Sequence, residues 1–107
     1  MSDETMPDVV MPSCPNRQLL KGQKALVTGA NSGIGRAVAV YLAKEGADVV
    51  VNYVAGEETA AEVVTEIEAT GRRGLAIQAD VSSEEQVQAM FRQMIDAFGT
   101  IDILINN

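Results

Sequence analysis

The sequence predicts an α/β fold built on a doubly wound parallel sheet, from three observations over residues 21–107. Apolar runs of strand length alternate three times with segments of helical period. Each helical segment is followed directly by a glycine. None of the strand runs shows the polar alternation of a half-exposed strand. Strands apolar on both sides are strands covered on both faces, and such strands are joined in parallel by right-handed crossovers.

The elements follow in order. Ala25, Leu26 and Val27 form the first strand, entered from Lys24 and ended by Thr28-Gly29. Ile34, Ala37, Val38, Tyr41 and Leu42 then recur at helical spacing and define the predicted buried face of the first helix, with Gly46 as its C-cap. Residues 47–51 are the second strand. Ala60, Val63, Val64 and Ile67 line a second helix closed by Gly71, and residues 75–79 are the third strand. Ser82 or Ser83 opens a third helix, with Glu85 or Gln86 three positions on as in a capping box. Val87, Met90, Phe91, Met94, Ile95 and Phe98 supply its apolar face, Gly99 closes it, and residues 101–105 are the fourth strand.

Composition bounds the function. The 107 residues suit one small domain, and 47% apolar with 21% charged residues is the balance of a soluble globular protein. The formal net charge is -7, which argues against a nucleic-acid partner, since phosphates demand a basic footprint. Residues 57–107 carry ten acids and three bases, whereas residues 24–56 carry two acids and three bases, so an anionic ligand meets no repulsive field there. Cys14 is the only cysteine and there is no histidine, so neither an intrachain disulfide nor a Cys/His pair can form, and no metal site is expected. No apolar run approaches the roughly 20 residues a membrane helix needs. Asp3, Glu4 and Asp8 do not resemble a targeting segment. A cytoplasmic protein is expected. Residues 1–20, with Pro7, Pro12 and Pro15, are expected to be a mobile extension.

The chemistry is carried by the turn after the first strand, Thr28-Gly29-Ala30-Asn31-Ser32-Gly33-Ile34-Gly35. Gly29 permits a tight turn, Gly33 lets backbone approach a bulky anion, and Gly35 lets the helix lie close to the sheet. The free N–H groups at the helix start, with about half a unit of positive charge, then suit a pyrophosphate. The spacing is not that of a P-loop, since Gly35 is followed by Arg36 and Ala37.

With glycines at 29, 33 and 35, the turn resembles the T-G-x-x-x-G-x-G motif of the short-chain dehydrogenase/reductase family. Asp80-Val81 resembles the family's Asp motif at the end of the third strand. Asn106-Asn107 is similar to the first half of its N-N-A-G motif. The resemblance covers about residues 22–107 and is nearest the single-domain branch of glucose 1-dehydrogenases and 3-oxoacyl-carrier-protein reductases. It implies an incomplete Rossmann sheet of about four strands and three helices, in the order 3-2-1-4. It also implies an NAD(P)-dependent oxidoreductase acting on a small carbonyl or alcohol, with a sugar such as glucose among the expected substrates, in a homo-oligomeric parent.

The cofactor-binding residues expected on this basis are Gly29, Asn31, Ser32, Gly33, Ile34, Gly35, Asn52, Tyr53, Asp80, Val81 and Asn107. The second strand ends Val51-Asn52-Tyr53-Val54, with neither the acid that holds a ribose 2′-hydroxyl nor a base for a 2′-phosphate. Asn52 and Tyr53 are expected to offer hydrogen bonds to either cofactor, and NADP or dual use is favoured over NAD alone. The family's catalytic Ser and Tyr-x-x-x-Lys would fall after residue 107. Tyr41 and Tyr53 are followed four positions on by Glu45 and Glu57, so neither is the catalytic tyrosine. Chemistry is thus expected of a longer parent, and a truncated product is expected to be inactive alone. The fourth strand, lacking its next neighbour, is an expected association hazard. Two other readings are a non-catalytic nucleotide-binding module and a nucleotide-sugar epimerase, the latter disfavoured by the glycine spacing.

Overall fold

A computed structural model describes residues 19–107; Cys14 and all but the last two residues of the expected extension fall outside them. The described chain runs β1 (Lys24–Val27), α1 (Gly33–Lys44), β2 (Asp48–Tyr53), α2 (Glu57–Ala69), β3 (Gly74–Gln78), α3 (Glu84–Phe98) and β4 (Ile103–Ile105). The strands form one parallel sheet in the order β3-β2-β1-β4, as the sequence predicts. Leu26 lies beside Val50 on one flank and Leu104 on the other.

Successive side chains of a strand point to opposite faces, and here each face meets its own apolar layer. Ala25, Val27, Val49 and Val51 belong to a core with Ala39, Leu42 and Ala43 of α1 and with Ala60, Val63 and Ile67 of α2. Leu26, Val50 and Ile77 belong to a second core with Met90 and Met94 of α3. That division explains why β1 and β2 read as unbroken apolar runs. Leu20, in the turn before β1, joins the first layer and donates its N–H to the Glu45 carbonyl at 2.9 Å.

Three expectations need correction. The second strand begins and ends later than residues 47–51, so that Asn52 and Tyr53 are strand residues; the fourth is confined to Ile103–Ile105. The buried face of α1 is Gly35, Ala39, Leu42 and Ala43, while Ile34 and Tyr41 are 75% and 51% exposed. The helix is rolled about its axis from the predicted stripe. The contact that fixes the roll is the approach of Gly35 to the sheet, where only a residue without a side chain fits. Finally, the sheet is not covered throughout. β2 is buried along its whole length, but β3 is mostly half-buried, Leu104 of β4 is 53% exposed, and so is nearly half of Ile95 on α3. Among the described residues β4 has no neighbour on its outer side.

The amino ends of the strands are tied by one carboxylate. Asp48, at the start of β2, is 1% exposed and receives Lys24 Nζ at 2.7 Å, Arg72 Nη2 at 3.1 Å and Arg73 Nη2 at 3.4 Å. The backbone N–H of Arg73 adds a hydrogen bond at 3.0 Å. Arg73 also lies over the Phe98 ring, 4.6 Å from its centroid, which brings the end of α3 into the same cluster. Burial pushes the Asp48 carboxyl up, but the Lys24 and Arg73 hydrogen bonds and the Arg72 charge outweigh it, leaving the pKa at about 2. Because the folded value lies below the unfolded one, the stabilisation is present above the unfolded pKa and is lost as pH falls through the folded one. Urea unfolding followed from pH 6 to pH 2 should therefore show a loss of roughly 2 kcal/mol that Asp48→Asn abolishes. At pH 7 the Asp48→Asn chain should be less stable by a similar amount. A flat difference between the two proteins across this range would refute the assignment.

Candidate functional site

The opposite end of the sheet, where the strands deliver their carboxyl ends, holds the glycine turn. It leaves β1 at Thr28 and enters α1 at Gly33, with Gly29 and Gly33 at φ 59° and 61°. Two strands clasp it. On the β2 side, the Ala30 N–H donates to the Asn52 carbonyl at 2.9 Å, and the Gly29 N–H donates to Asn52 Oδ1 at 3.3 Å. On the β4 side, the Thr28 N–H donates to the Ile105 carbonyl at 3.0 Å. Thr28 Oγ1 in turn accepts the Asn107 N–H at 2.9 Å, and Asn107 Nδ2 donates to the Gly29 carbonyl at 3.3 Å.

Gly35 closes this arrangement from the helix side. A Cβ there would run into the Gly29 carbonyl oxygen and would stand 2.7 Å from Asn107 Nδ2. The start of α1 is consequently pressed against the carboxyl ends of β1 and β4. Ser32, its N-cap, makes no side-chain capping bond, and the first turn of α1 contains no acid. The other two helices differ. α2 begins with Glu57 and Glu58, and α3 begins with Glu84 and Glu85 and is capped by Ser83. The first N–H groups of a helix lack internal partners and carry its positive end. Among the three helix starts of the described residues, only that of α1 has neither an acidic side chain nor a cap to satisfy it.

The expected site residues thus divide. Gly29, Asn31, Ser32, Gly33, Ile34, Gly35 and Asn107 are brought together around the turn, with Ile34 exposed at its rim. Asn52 is adjacent but occupied. It is 1% exposed, and its Nδ2 donates to the carbonyls of Ala79 at 3.1 Å and Ile77 at 3.4 Å while its Oδ1 accepts from Gly29. Tyr53 is 8% exposed and packs in the layer with α1 and α2. For Asn52 this corrects the expectation of an outward hydrogen bond; for Tyr53 it shows that most of the side chain packs inward. Asn52 braces the turn from beneath, and Tyr53 is a core residue.

Asp80 follows β3 and is exposed. Its Oδ1 accepts the Ser82 hydroxyl at 2.7 Å and the Ser82 N–H at 2.9 Å, and these two bonds hold its carboxyl below the usual range. Gln86 Oε1 accepts the Asp80 N–H at 2.8 Å, while Ser83 is the N-cap of α3, so only half of the predicted capping box forms. Val81 is 48% exposed and lines a cleft of about 250 Å³ with Leu104, Phe91 and Asn106. Arg36 is drawn to α2, where Glu66 Oε1 lies 3.1 Å from its Nε and Glu62 Oε1 3.6 Å from its Nη1. The Glu66 hydrogen bond raises its pKa further, so Arg36 stays a cation on the outer surface.

Sequence reasoning missed Thr28, whose hydroxyl joins the first strand to the residue after the fourth. It also missed the segment after β2. Asn31 Nδ2 donates to the Ala55 carbonyl at 2.8 Å and to Thr59 Oγ1 at 3.1 Å, reaching across to that segment from the glycine turn. The signal for Thr28 was its place directly before Gly29; no local signal pointed to the Asn31 contacts, which span 24 and 28 residues.

The sequence family agrees with this geometry. Residues 23–107 match the family model for short chain dehydrogenases. The chain belongs to the short-chain dehydrogenases. It is 50% identical over 88 residues to a hydroxynaphthalene reductase-like protein Arp2 of Metarhizium guizhouense, covering 82% of this chain and 33% of that one. It is 48% identical over 85 residues to a 3-oxoacyl-[acyl-carrier-protein] reductase FabG of Staphylococcus aureus, covering 79% and 35%. Among solved structures, a short chain dehydrogenase from Burkholderia cenocepacia in complex with NADP superposes with a TM-score of 0.80 at 49% identity, covering 82% and 36%. A hydroxysteroid dehydrogenase from Escherichia coli superposes with a TM-score of 0.78 at 39% identity, covering 82% and 37%. The short-chain dehydrogenase chain described here thus spans about a third of the length of the relatives it matches.

Two substitutions test the close-packed turn. Gly35→Ala should destabilise the fold by about 1–3 kcal/mol through overpacking against the Gly29 carbonyl. Thr28→Val should cost about 1 kcal/mol and Thr28→Ser almost nothing, because the serine keeps the oxygen that accepts from Asn107. Urea unfolding of the three variants reads both, and equal stability of Thr28→Val and Thr28→Ser would show that the hydroxyl bond contributes nothing.

Proposed function

We propose that residues 21–107 bind the adenosine and pyrophosphate half of a nicotinamide cofactor, NAD or NADP, as part of an oxidoreductase acting on a small carbonyl or alcohol. The observation that carries this reading is the start of α1. A helix N-terminus free of acids and side-chain caps stands beside backbone brought close by glycine, at the carboxyl ends of parallel strands. A pyrophosphate needs those donors and that room. The residues proposed to contact it are those of the turn, Gly29 and Ser32 to Gly35, with Asp80 and Val81 toward the adenine. The carboxyl ends of the strands are also where ligands settle in open α/β sheets, at the point where strand order reverses. Here that point lies between β1 and β4, and Asn107 marks it.

A bound nicotinamide supplies hydride transfer. What this chain's residues do is hold and orient the far end of the cofactor and neutralise its phosphates. Acid/base work on the substrate belongs, on the family resemblance, to a serine and a Tyr-x-x-x-Lys pair in a longer protein. Reduction of a carbonyl is supported by the reductase names of two relatives. A sugar substrate rests on the sequence resemblance alone. A nicotinamide cofactor is supported by the Burkholderia neighbour solved with NADP. A homo-oligomeric, cytoplasmic parent completes the proposal; among the described residues no helix is long and apolar enough to cross a membrane.

Titration calorimetry with NADP and NAD should show weak, saturable binding to the folded chain. Gly33→Val should abolish it, because φ 61° strains a branched residue and its side chain fills the approach to the helix start. A folded wild-type chain that binds neither cofactor would overturn the proposal.

A further inference from the structure

We propose that Asn31 is a positioning residue. On this view its carboxamide latches the β2–α2 connection to the glycine turn and thereby holds Glu57 and Glu58 where they oppose a phosphate on the cofactor's 2′ position. The inference rests on the cofactor reading above and concerns the ribose end of the same site.

The latch is built from four residues. Asn31 Nδ2 donates to the Ala55 carbonyl at 2.8 Å and to Thr59 Oγ1 at 3.1 Å. Thr59 Oγ1 in turn donates to the Gly56 carbonyl at 2.8 Å, so its oxygen is an acceptor for Asn31 and a donor to the loop. Gly56 makes room for this. It sits at φ 90°, and a Cβ there would stand 2.9 Å from Asn31 Nδ2 and 2.8 Å from Thr59 Oγ1. With both amide protons of Asn31 engaged by the loop, the side chain is a brace and not a free ligand donor.

What the brace holds follows from the strand before it. In dinucleotide-binding folds the ribose hydroxyls are read at the end of the second strand, by an acid about 20 residues beyond the glycine motif. Here Asn52 is bonded beneath the turn and most of Tyr53 packs in the core, so neither brings a charge to that end. The first charged groups past β2 are Glu57 and Glu58, both exposed in the opening turn of α2, and Glu57 lies 22 residues beyond Gly35. Asn31 contacts the residues on both sides of this pair, Ala55 and Thr59. Two carboxylates at the start of α2 would raise the free energy of a ligand carrying a second phosphate more than that of one without it. The absence of an acid at Val51–Val54 is therefore not the absence of an acid at the ribose edge.

The test measures affinities of the folded chain for AMP, adenosine 2′,5′-bisphosphate and inorganic pyrophosphate. Glu57→Gln/Glu58→Gln should raise affinity for the bisphosphate relative to AMP by about fivefold at low salt. Glu68→Gln, at the far end of α2, should not. Asn31→Ala should shift the same ratio in the same direction by at least about threefold, and adding it to the double glutamine variant should bring little more. Thr59→Val should reproduce Asn31→Ala, while Thr59→Ser, which keeps the shared oxygen, should leave the ratio at the wild-type value. Affinity for pyrophosphate should change less than affinity for the bisphosphate in every variant. An Asn31→Ala chain that loses all three ligands equally, or keeps the wild-type ratio, would overturn the latch while leaving the cofactor site intact. Should Asn31→Ala fail to fold, the Thr59 pair decides by the same ratio. A folded wild-type chain that binds neither nucleotide overturns the cofactor reading and the latch with it.

Discussion

A backbone can lie against another backbone only where no side chain intervenes, and the candidate site depends on one such place. At Gly35 the first turn of α1 meets the carbonyl of Gly29 and the carboxamide of Asn107, and a single methyl group would part them. The contact sets the roll of α1, so that Gly35, Ala39, Leu42 and Ala43 face the sheet and Ile34 and Tyr41 do not. It also sets the height of the helix start above the strands. The donors proposed for the pyrophosphate are therefore positioned by steric exclusion at a residue that need not touch the ligand.

Much of this was legible in the sequence. Helix number, the glycine turn and its place between strand and helix follow from apolar runs and punctuation by glycine, and the strand order follows from the family resemblance. The errors share one physical origin. Periodicity identifies which residues are apolar, whereas the face of a helix that is buried depends on what it packs against. The predicted stripe of Ile34, Ala37, Val38, Tyr41 and Leu42 was a reasonable face for an isolated amphipathic helix, and Leu42 and Val38 do pack on the core. Ile34, Ala37 and Tyr41 gave way to Gly35, Ala39 and Ala43 because a parallel sheet of valines accepts close approach. Asn52 was misplaced for a related reason. Polar side chains at a strand end usually face solvent, but Asn52 is enclosed by the turn, β3 and its own strand, all of which supply partners. Nothing within ten residues of Asn52 in sequence announces those partners.

The two ends of the sheet solve opposite electrostatic problems. At the amino end a buried carboxylate gathers three cations, and each side chain is matched. At the carboxyl end the donors of α1 are left without side-chain partners, which is unfavourable in a structure without a ligand and favourable in one with an anion. A protein selected for stability alone would be expected to cap α1 as it caps α3. That it does not sets the start of α1 apart, and the acidic starts of α2 and α3 sharpen the contrast by showing what the same chain does elsewhere.

The join between β1 and β4 carries a consequence for how the sheet holds together. β1 pairs with β2 across about a quarter of the chain, in a register of four residues from Lys24 with Asp48 to Val27 with Val51. It pairs with β4 in a register of three, and the contacts flanking that pair span 77 to 79 residues. Closing the larger loop costs about 1 kcal/mol more in chain entropy. With fewer ladder bonds to offset it, this pairing is the weakest seam of the sheet. The same seam carries Thr28 and Asn107. Breathing of the fourth strand would therefore loosen the glycine turn directly, so that a molecule bound across the seam acts as a stitch and slows the fraying of the strand beside it.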